Sequence, residues 1–466
     1  MRRATISLSV LLASCAMGPN YHRPATSVPD QYRYNPQTPE SRSVGDAAWS
    51  NVYQDPQLQR LISTALHNNY DLKTAVARIE EAHASVGETR LAFFPTIDAQ
   101  ANVGRTKSSA DVLLPGEPRI TNVSQVSVQA SYELDFWGRL RRANESARAN
   151  LLSSDFGKRA VTVSLIANVA TTYFSLLSLD SQLEIAKRTV GTREKFVELT
   201  RQQHDRGYAT GLDIATAEAQ AAAARATIPL LELQIGQLED QLCVVLGENP
   251  HPIDRPHRGE EMPPPPPLPP SGLPSQLLER RPDVREAEEA LHAANADIGA
   301  AKAALFPTIS LTGLAGSLST PLGNLFKAST AEWSVAAGAV QPLLDAQRSI
   351  YQVELAQART HEALFQYQKT VQTAFQEVAD ALLAFGKNLE FEREQVVQVE
   401  ALRRAEAIAL ARYRVGYASY FDVINADRDL FQAELTLSSA YGNNLTSLVR
   451  LYQVLGGGWQ AEPTEP

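Results

Sequence analysis

The octapeptide GYATGLDI occupies residues 207–214, and a close copy of it, GYASYFDV, occupies residues 416–423. A Leu-Gly pair follows both copies at the same distance, at 246–247 and at 455–456, so no gap separates the two alignments. Agreement over so many ordered positions indicates that the chain consists of two structural repeats.

Further matches lie upstream of this pair. The segments AHASVG (82–87) and FPTI (94–97) return as ANADIG (294–299) and FPTI (306–309). Their spacing is 212 residues, against 209 residues for the downstream matches, so the repeats differ by a small loop change. We expect each repeat to contain a helix, a β-hairpin, a very long helix and a returning helix, in that order.

The hairpin of the first repeat is indicated by the period-two alternation of a half-exposed β-strand. Its apolar positions are Ile97, Ala99, Ala101, Val103, Val126, Val128, Ala130, Tyr132 and Leu134, and polar residues alternate with them. The second hairpin is predicted from Thr308 to about Gly316 and from Trp333 to about Leu343, where the alternation is weaker. The chain therefore contributes four strands.

These strands have the length and pattern of strands in an outer-membrane barrel. A soluble sheet with one buried face has the same alternation. No stretch approaches the roughly 18 uninterrupted apolar residues that a membrane-spanning helix requires. Four strands cannot close a barrel, because known barrels need about eight or more. A barrel reading therefore requires that several subunits share their edges.

Each hairpin is followed by a segment with few helix breakers, from about Arg139 to Arg206 and from about Arg348 to Arg414. At 1.5 Å per residue, each helix would span roughly 100 Å. The first carries two offset apolar seams: Ala160, Val163, Ala167, Ala170, Phe174, Leu177 and Leu165, Val169, Thr172, Leu176, Leu179, Leu183, Ala186, Val190. Two seams predict neighbours on both sides, as in a closed tube of helices, whereas a solid bundle is the alternative.

Each long helix is predicted to end at the repeated Gly-Tyr-Ala turn. Gly207 and Gly416 lie where a left-handed residue would let the chain reverse. Asp213 and Asp422 fall near the start of the returning helices, where a carboxylate suits the positive end of the helix dipole. We expect both turns to lie at the end of the tube farthest from the strands.

The N-terminus has the features of a secretory signal: a basic start, a short apolar core at residues 6–13, and the sequence LASC at 12–15. This resembles a lipobox, in which Cys15 would be acylated and become the mature N-terminus. Ala16 in the next position favours the outer membrane over the inner one. An ordinary cleaved signal is the alternative, and Cys243 is predicted to be a buried apolar residue.

Charge and motifs exclude several classes of function. The formal net charge is −9, which argues against nucleic acid as a partner. The sequence has no phosphate-binding loop, no zinc-ligand spacing and no hydrolase nucleophile elbow. We therefore predict no enzymatic activity, no metal site and no cofactor other than a covalent lipid on Cys15.

The predicted organisation follows from these elements. Residues 1–14 are the signal peptide and 15–50 a lipid-anchored extended segment. The first repeat spans 51–262, with hairpin 94–136, long helix 139–206 and return helix 211–246. A Pro-rich linker at 263–275 leads to the second repeat at 276–458, with hairpin 307–344, long helix 348–414 and return helix 420–455. Residues 459–466 form a tail.

Several stretches resemble the outer-membrane efflux protein family, the TolC-like outer-membrane factors, and in particular their lipoprotein branch. They are CAMGPNYHRP (15–24), the segment from Trp49 to Ile79, YELDFWGR (132–139) and LLERRPDVR (277–285), and the similarity covers nearly the whole mature chain. The segment LDAQR (344–348) departs from the paired glycines usual before that Arg.

The resemblance implies a mainly α fold with a small β part. It implies a homotrimer in which four strands per chain complete a transmembrane β-barrel above a long α-helical barrel. It also implies outer-membrane lipid, a periplasmic adaptor and an inner-membrane transporter of the resistance-nodulation-division type as partners, in a passive export channel for small molecules. A channel for proteins or oligosaccharides, and a periplasmic scaffold lipoprotein without a pore, are the alternatives.

Matched to the family, the narrow periplasmic end of the channel falls just after the second turn. The apolar ring matches Phe421, and the acidic ring matches Asn425, where the usual carboxylate is missing; Asp422 lies nearby and can supply the negative charge. The resemblance assigns docking of the adaptor to the two turns. Their residues are Gly207, Tyr208, Ala209, Thr210, Gly416, Tyr417, Ala418 and Ser419.

Overall fold

The computed structural model describes residues 16–35, 43–109, 111, 113–114, 116–255, 270–341, 343 and 346–459. The predicted signal peptide, the lipid attachment site Cys15, most of the Pro-rich linker and the tail after Trp459 lie outside the described residues. The described part is mainly helical with one four-stranded sheet, so the predicted fold class is confirmed.

The helices of the described residues follow the order that the repeats predict. They are α1 (Trp49–Val52), α2 (Pro56–Asn68), α3 (Tyr70–Leu91), α4 (Arg139–Asp205), α5 (Gly211–Leu246), α6 (Pro274–Arg280), α7 (Pro282–Ala303), α8 (Ala346–Arg414) and α9 (Tyr420–Val454). The long helices α4 and α8 contain 67 and 69 residues.

The four strands are β1 (Thr96–Lys107), β2 (Ile120–Leu134), β3 (Thr308–Ser319) and β4 (Ala331–Val340). β1 runs four residues beyond Val103, the last residue of the predicted alternation. β4 ends before the predicted Leu343, and the sequence explains why: Pro342 has no N–H to donate to a ladder.

All neighbouring strands of the sheet are antiparallel, in the order β1-β2-β3-β4. The register brings the alternating apolar positions of β1 and β2 to one face, which also carries Leu311, Trp333 and Val335 of β3 and β4. At one level of this face the successive cross-strand partners are Ala99, Val128, Ala315 and Trp333. Val128 and Trp333 are exposed, Trp333 to 78%, so a wide apolar surface is left open on one side of the sheet.

The described residues fall into two units, and each unit draws on both repeats. The sheet unit contains Ala77–Asp155, Glu286–Gln368 and the N-terminal residues up to Ala25. The helical unit contains Thr26–Val76, Phe156–Arg285 and Lys369–Pro466.

In the sheet unit, residues 16–23, here called the strap, lie against the corner between β2 and α4. The Met17 amide donates a hydrogen bond to the Trp137 carbonyl at 3.0 Å. Arg142, whose side chain is buried, donates to the Met17 carbonyl at 3.1 Å and to Asn20 Oδ1 at 2.8 Å. A buried guanidinium thus fixes the backbone of the strap.

The strap also lies against α7. Gly18 has a φ of 91°, and a Cβ atom there would lie only 2.4 Å from the Cα of Gly299. Arg23 forms two parallel hydrogen bonds with Glu288, each of 2.5 Å, and Tyr21 stacks on His292 with ring centroids 4.7 Å apart. Only glycine fits at position 18, because the conformation and the space both exclude a side chain.

The core of the helical unit is formed by apolar residues of α2, α4, α5 and α9. Its largest fully buried members include Leu58, Tyr173, Leu176, Leu242, Leu246 and Tyr452. The Tyr173 hydroxyl donates to Asp55 at 3.0 Å, which satisfies its polar end. Cys243 is fully buried in this core, as the sequence predicted, and its thiol donates to the His251 carbonyl at 3.3 Å.

Both apolar seams of α4 are engaged. Val163, Ala167 and Ala170 of one seam, and Val169, Leu176 and Ala186 of the other, are all buried. One 18-residue window of α4 is apolar enough, by length and composition alone, to cross a membrane, and 56% of that window is buried inside the protein. Such burial is typical of a core helix.

The segment LLERRPDVR has a structural role within the helical unit. Arg280 pairs with both oxygens of Asp46 at 2.7 Å, and Arg281 pairs with Asp283 at 2.6 Å and Glu377 of α8 at 2.7 Å. Since both guanidinium groups are nearly buried, the paired charges satisfy one another in place of water.

We predict that Gly18→Ala releases the strap, because the new Cβ collides with the Gly299 backbone. Hydrogen–deuterium exchange of the Met17 amide should become fast while the sheet stays protected. The matched control is Gly87→Ala in α3, where a Cβ meets nothing within 4 Å and protection should be unchanged. Retained protection at Met17 in Gly18→Ala would contradict the role assigned to this close approach.

Candidate functional site at the two helical turns

The first turn follows α4. Gly207 has a φ of 79°, its amide donates to the His204 carbonyl at 2.8 Å, and the Tyr208 amide donates to the Gln203 carbonyl at 2.8 Å. These two bonds make a Schellman cap, which satisfies the last carbonyls of the helix and reverses the chain.

The second turn repeats this geometry at the end of α8. Gly416 has a φ of 80°, and the amides of Gly416 and Tyr417 donate to the carbonyls of Tyr413 and Arg412 at 3.0 and 2.9 Å. The predicted left-handed glycine is therefore present in both turns. Tyr208 and Tyr417 are 83% and 78% exposed, so each turn presents one aromatic side chain to its surroundings.

A capping box begins each returning helix. Thr210 and Ser419 accept hydrogen bonds from the amides of Asp213 and Asp422, each at 3.3 Å. The carboxylates reach back to the amides of Thr210 and Ser419 at 2.7 and 2.9 Å. Both start sites thus have the reciprocal bonds that satisfy two free amides of a helix N-terminus.

The gate residues assigned from the sequence, Phe421, Asp422 and Asn425, lie on the first two turns of α9. Phe421 is 68% exposed, Asp422 is exposed and Asn425 is half-buried. The pKa of Asp422 lies below its usual value because its carboxylate accepts bonds from the Ser419 hydroxyl and amide. The same oxygen, Oδ2, accepts both bonds, so one oxygen of the charged carboxylate caps the helix.

An aromatic cluster below the turns brings the two long helices together. Phe196 of α4 stacks on Tyr420 of α9 at 5.3 Å, and Tyr413 of α8 lies 6.1 Å and 5.8 Å from these two rings. The Tyr413 hydroxyl donates to Gln203 at 2.6 Å, so the two turns are neighbours. Burial raises the pKa of Tyr420 to about 12.

Arg193 of α4 connects α9 to two other helices. Its side chain is 6% exposed; it donates to Asp427 of α9 at 2.8 Å and to the Gln220 carbonyl of α5 at 2.9 Å. The guanidinium also lies 5.0 Å from the ring centre of Phe431. Burial raises the pKa of Asp427, and Arg193 opposes this effect.

Glu434 forms a second link two turns further along α9. Its buried carboxylate accepts hydrogen bonds from Arg188 of α4 and, at 2.9 Å, from Arg403 of α8. Burial, together with the charges of Asp427 and Glu434, raises the pKa of the nearby Glu406. These charged residues line a cavity of about 270 Å³ beside α9.

Sequence reasoning placed the turns and the capping residues but did not find Phe196, Arg193 or Glu434. Phe196 and Arg193 lie within a 67-residue helix whose polar positions look alike in the sequence. The repeat offered a signal for Glu434. Glu434 aligns with Arg225, and its partner Arg403 aligns with Glu194, so the ion pair of the first repeat returns in the second with the two charges exchanged.

Alanine at Gly207 or Gly416 should destabilise its turn by about 1 kcal/mol, since a left-handed conformation is unfavourable for a residue with a Cβ. A Cβ atom at either position would meet no atom within 4 Å, so the substitution tests the backbone conformation alone. We expect the amides of Tyr208 or Tyr417 to exchange about fivefold faster. Gly211→Ala, in the first turn of α5, is the matched control and should have no such effect; equal effects at all three positions would contradict the prediction.

Comparison with known proteins agrees with this architecture. The family model described as outer membrane efflux protein matches residues 61–248 and 273–457. The probable efflux pump outer membrane protein TtgC of Pseudomonas putida is 34% identical, covering 98% of this chain and 96% of TtgC. The probable outer membrane lipoprotein SilC of Salmonella typhimurium is 34% identical, covering 98% and 99%.

Among solved structures, the outer-membrane channel OprN superimposes with a TM-score of 0.87 at 30% identity, covering 96% of this chain and all of OprN. The matches span both repeats, the sheet and both turns described above. The chain belongs to the outer membrane efflux protein family.

Proposed function

We propose that this chain is the outer-membrane channel of a tripartite efflux system, through which small molecules leave the cell passively and without a catalytic step. The observation that carries the proposal is the open apolar face of a four-stranded sheet, joined to helices of 67 and 69 residues. The family's location supports it: its members lie in the outer membrane, with their long helices on the periplasmic side.

Three copies are proposed to close the barrel. Within the described residues, β1 and β4 each pair on one side only, which leaves two open edges. Long open edges invite pairing with another chain, and stable proteins blunt, cover or pair them. Three chains would give about twelve strands, enough for an aqueous lumen, whereas four strands cannot close. The exposed apolar face then meets lipid, and the face with Asp98, Gln100, Gln129 and Glu133 lines the pore.

A lipid on Cys15 is proposed to anchor the mature chain. The strap supports this, because it fixes Ala16 beside Gly138, at the corner where β2 leads into α4. Acyl chains on the preceding residue would then start at the end of the apolar face, where they can enter the membrane. One acyl chain anchors weakly, so the barrel supplies the remaining membrane affinity.

The periplasmic gate is proposed to consist of Phe421, Asp422 and Asn425 from each of the three chains. Phe421 is exposed although it is apolar, and Asp422, whose pKa is lowered by its capping bonds, is charged at neutral pH as an aspartate ordinarily is. A ring of three such side chains would narrow the pore and give it a negative rim. Arg193 and Glu434 would hold α9, and hence the ring, in the closed position.

The two turns, 207–210 and 416–419, are proposed as the docking surface for a periplasmic adaptor, which in turn contacts an inner-membrane transporter of the resistance-nodulation-division type. The support is physical: Tyr208 and Tyr417 are fixed by capped backbones and largely exposed. Rigid exposed tyrosines suit a protein interface, since they lose little entropy on binding. No nucleic acid partner is proposed.

Planar-bilayer conductance of the purified protein, with cross-linking to count subunits, tests the proposal. We expect discrete steps from a trimer and a larger single-channel conductance for Phe421→Ala. The matched control is Leu212→Ala, the equivalent exposed apolar residue of the first repeat, which should conduct like the parent. A folded trimer that stays silent even with Phe421 and Asp422 replaced by Ala would instead support the scaffold function.

The links of α9 give a second prediction. Arg193→Ala leaves the largely buried Asp427 carboxylate without its partner, which costs about 3 kcal/mol and should loosen the first turns of α9. We expect longer open times and faster amide exchange at residues 423–427. Arg201→Ala removes an exposed pair with Glu218 in the same unit and should change neither quantity. Equal open times in both variants would show that Arg193 does not stabilise the closed state.

A further inference from the structure

The apolar face of the sheet has a measurable height along β2. From Leu134 to Ser124 the alternate residues that point to this face are Leu134, Tyr132, Ala130, Val128, Val126 and Ser124, and the apolar residue at the level of Ser124 is its partner Val103 of β1. At about 3.3 Å per residue and a strand tilt of about 40°, this distance corresponds to about 25 Å along the membrane normal. It equals the usual height of the lipid-facing band in outer-membrane barrels.

Beyond this band, at the end of the sheet next to the hairpin loop, the same face becomes basic. Arg105 and Lys107 follow Val103 at alternate positions of β1, opposite Asn122 and Ile120 of β2. Both basic residues are exposed, and neither forms an ion pair within the part of the chain that the structure describes. They lie about 5 and 10 Å beyond the band, at the depth of lipid headgroups.

The other end of the sheet, next to the helices, is different. It carries aromatic residues: Phe94 is exposed, and Trp137 stacks on Phe306 with ring centroids 4.7 Å apart. Two basic residues near this end are neutralised, since Arg139 pairs with Glu133 at 2.6 Å and Arg141 with Asp135 at 3.1 Å. Within the four strands, the basic residues are Arg105 and Lys107, and both lie on this face at the loop end.

We propose that Arg105 and Lys107 form a binding site for the phosphate groups of a phosphorylated glycolipid of the lipid A class in the outer leaflet. The inference rests on the proposed barrel, in which this face of the sheet meets lipid. The family's long helices lie on the periplasmic side, so the loop end of the sheet faces the cell exterior. In Gram-negative outer membranes, the outer leaflet is the one rich in phosphorylated glycolipid.

The chemistry of the two side chains fits this ligand. A guanidinium binds a phosphate through two parallel hydrogen bonds, and an ammonium adds a compact point charge. Two residues apart on one face, they are about 7 Å apart along the strand, close enough to contact oxygens of one phosphate together. The apolar band directly below would hold the acyl chains of the same molecule, which a free phosphate lacks.

The test measures how much lipid A stays bound to the detergent-solubilised trimer, by native mass spectrometry after incubation with lipid A. Arg105→Gln/Lys107→Gln should reduce the bound fraction about tenfold, because each basic residue near a charged lipid surface contributes several-fold to binding. Lys107→Glu alone should reduce it more than Lys327→Glu, the same charge reversal at an exposed residue of the β3–β4 loop. Dephosphorylated lipid A should bind the parent as weakly as lipid A binds the double variant.

Two results would overturn the inference: equal retention of lipid A by the parent and Arg105→Gln/Lys107→Gln, or equal binding of phosphatidylglycerol and lipid A. The first result would mean that Arg105 and Lys107 do not bind lipid A, and the second that they bind anionic lipids in general. Conductance of the same preparations in phospholipid bilayers distinguishes failure of the lipid site from failure of the proposed function. Conducting trimers without lipid A selectivity refute only the lipid site, while absence of a membrane-inserted trimer refutes both.

Discussion

The open edges of the sheet are the constraint on which the rest of this molecule depends. Four antiparallel strands satisfy each other's backbone groups across three ladders but leave one side of β1 and one of β4 without partners in the described chain. In a membrane such groups are especially costly, because lipid offers no hydrogen bonds. The proposed closure with further copies would remove the edges, and it would also explain why the apolar face can remain uncovered within one chain.

The two repeats use one backbone plan for different purposes. Both turns have the same Schellman cap and the same capping box, so the return helices begin alike. The side chains then diverge. Arg225 and Glu194 form an exposed pair at 3.2 Å. Their counterparts are Glu434 and Arg403, and the carboxylate of Glu434 is buried and also pairs with Arg188. Burial makes the second pair sensitive to loss of a partner, while the first contributes little.

The sequence was sufficient for the elements that rest on local rules. Alternation located β1 to β4, glycine identified both turns, and Asp213 and Asp422 indicated the helix starts. Prediction from the sequence failed where residues of other helices decide whether a side chain is buried. Nothing local distinguishes Arg193, which is buried against Asp427 and Gln220, from the exposed Arg201 eight residues later. The strap was likewise invisible, because the space at Gly18 is set by Gly299, far away in the sequence.

The geometry also limits how a gate at α9 can work. The capping box holds Ser419 and Asp422 together through bonds within one turn, so these bonds can persist whether α9 leans inward or outward. The bonds that must break are those to other helices: Arg193 with Asp427, Glu434 with Arg188 and Arg403, and the stack of Tyr420 on Phe196. A partner at the turns can shift this equilibrium only by binding the outward state more tightly. Opening of the proposed gate would therefore be an exchange of helix contacts, with the turn itself moving as a rigid body.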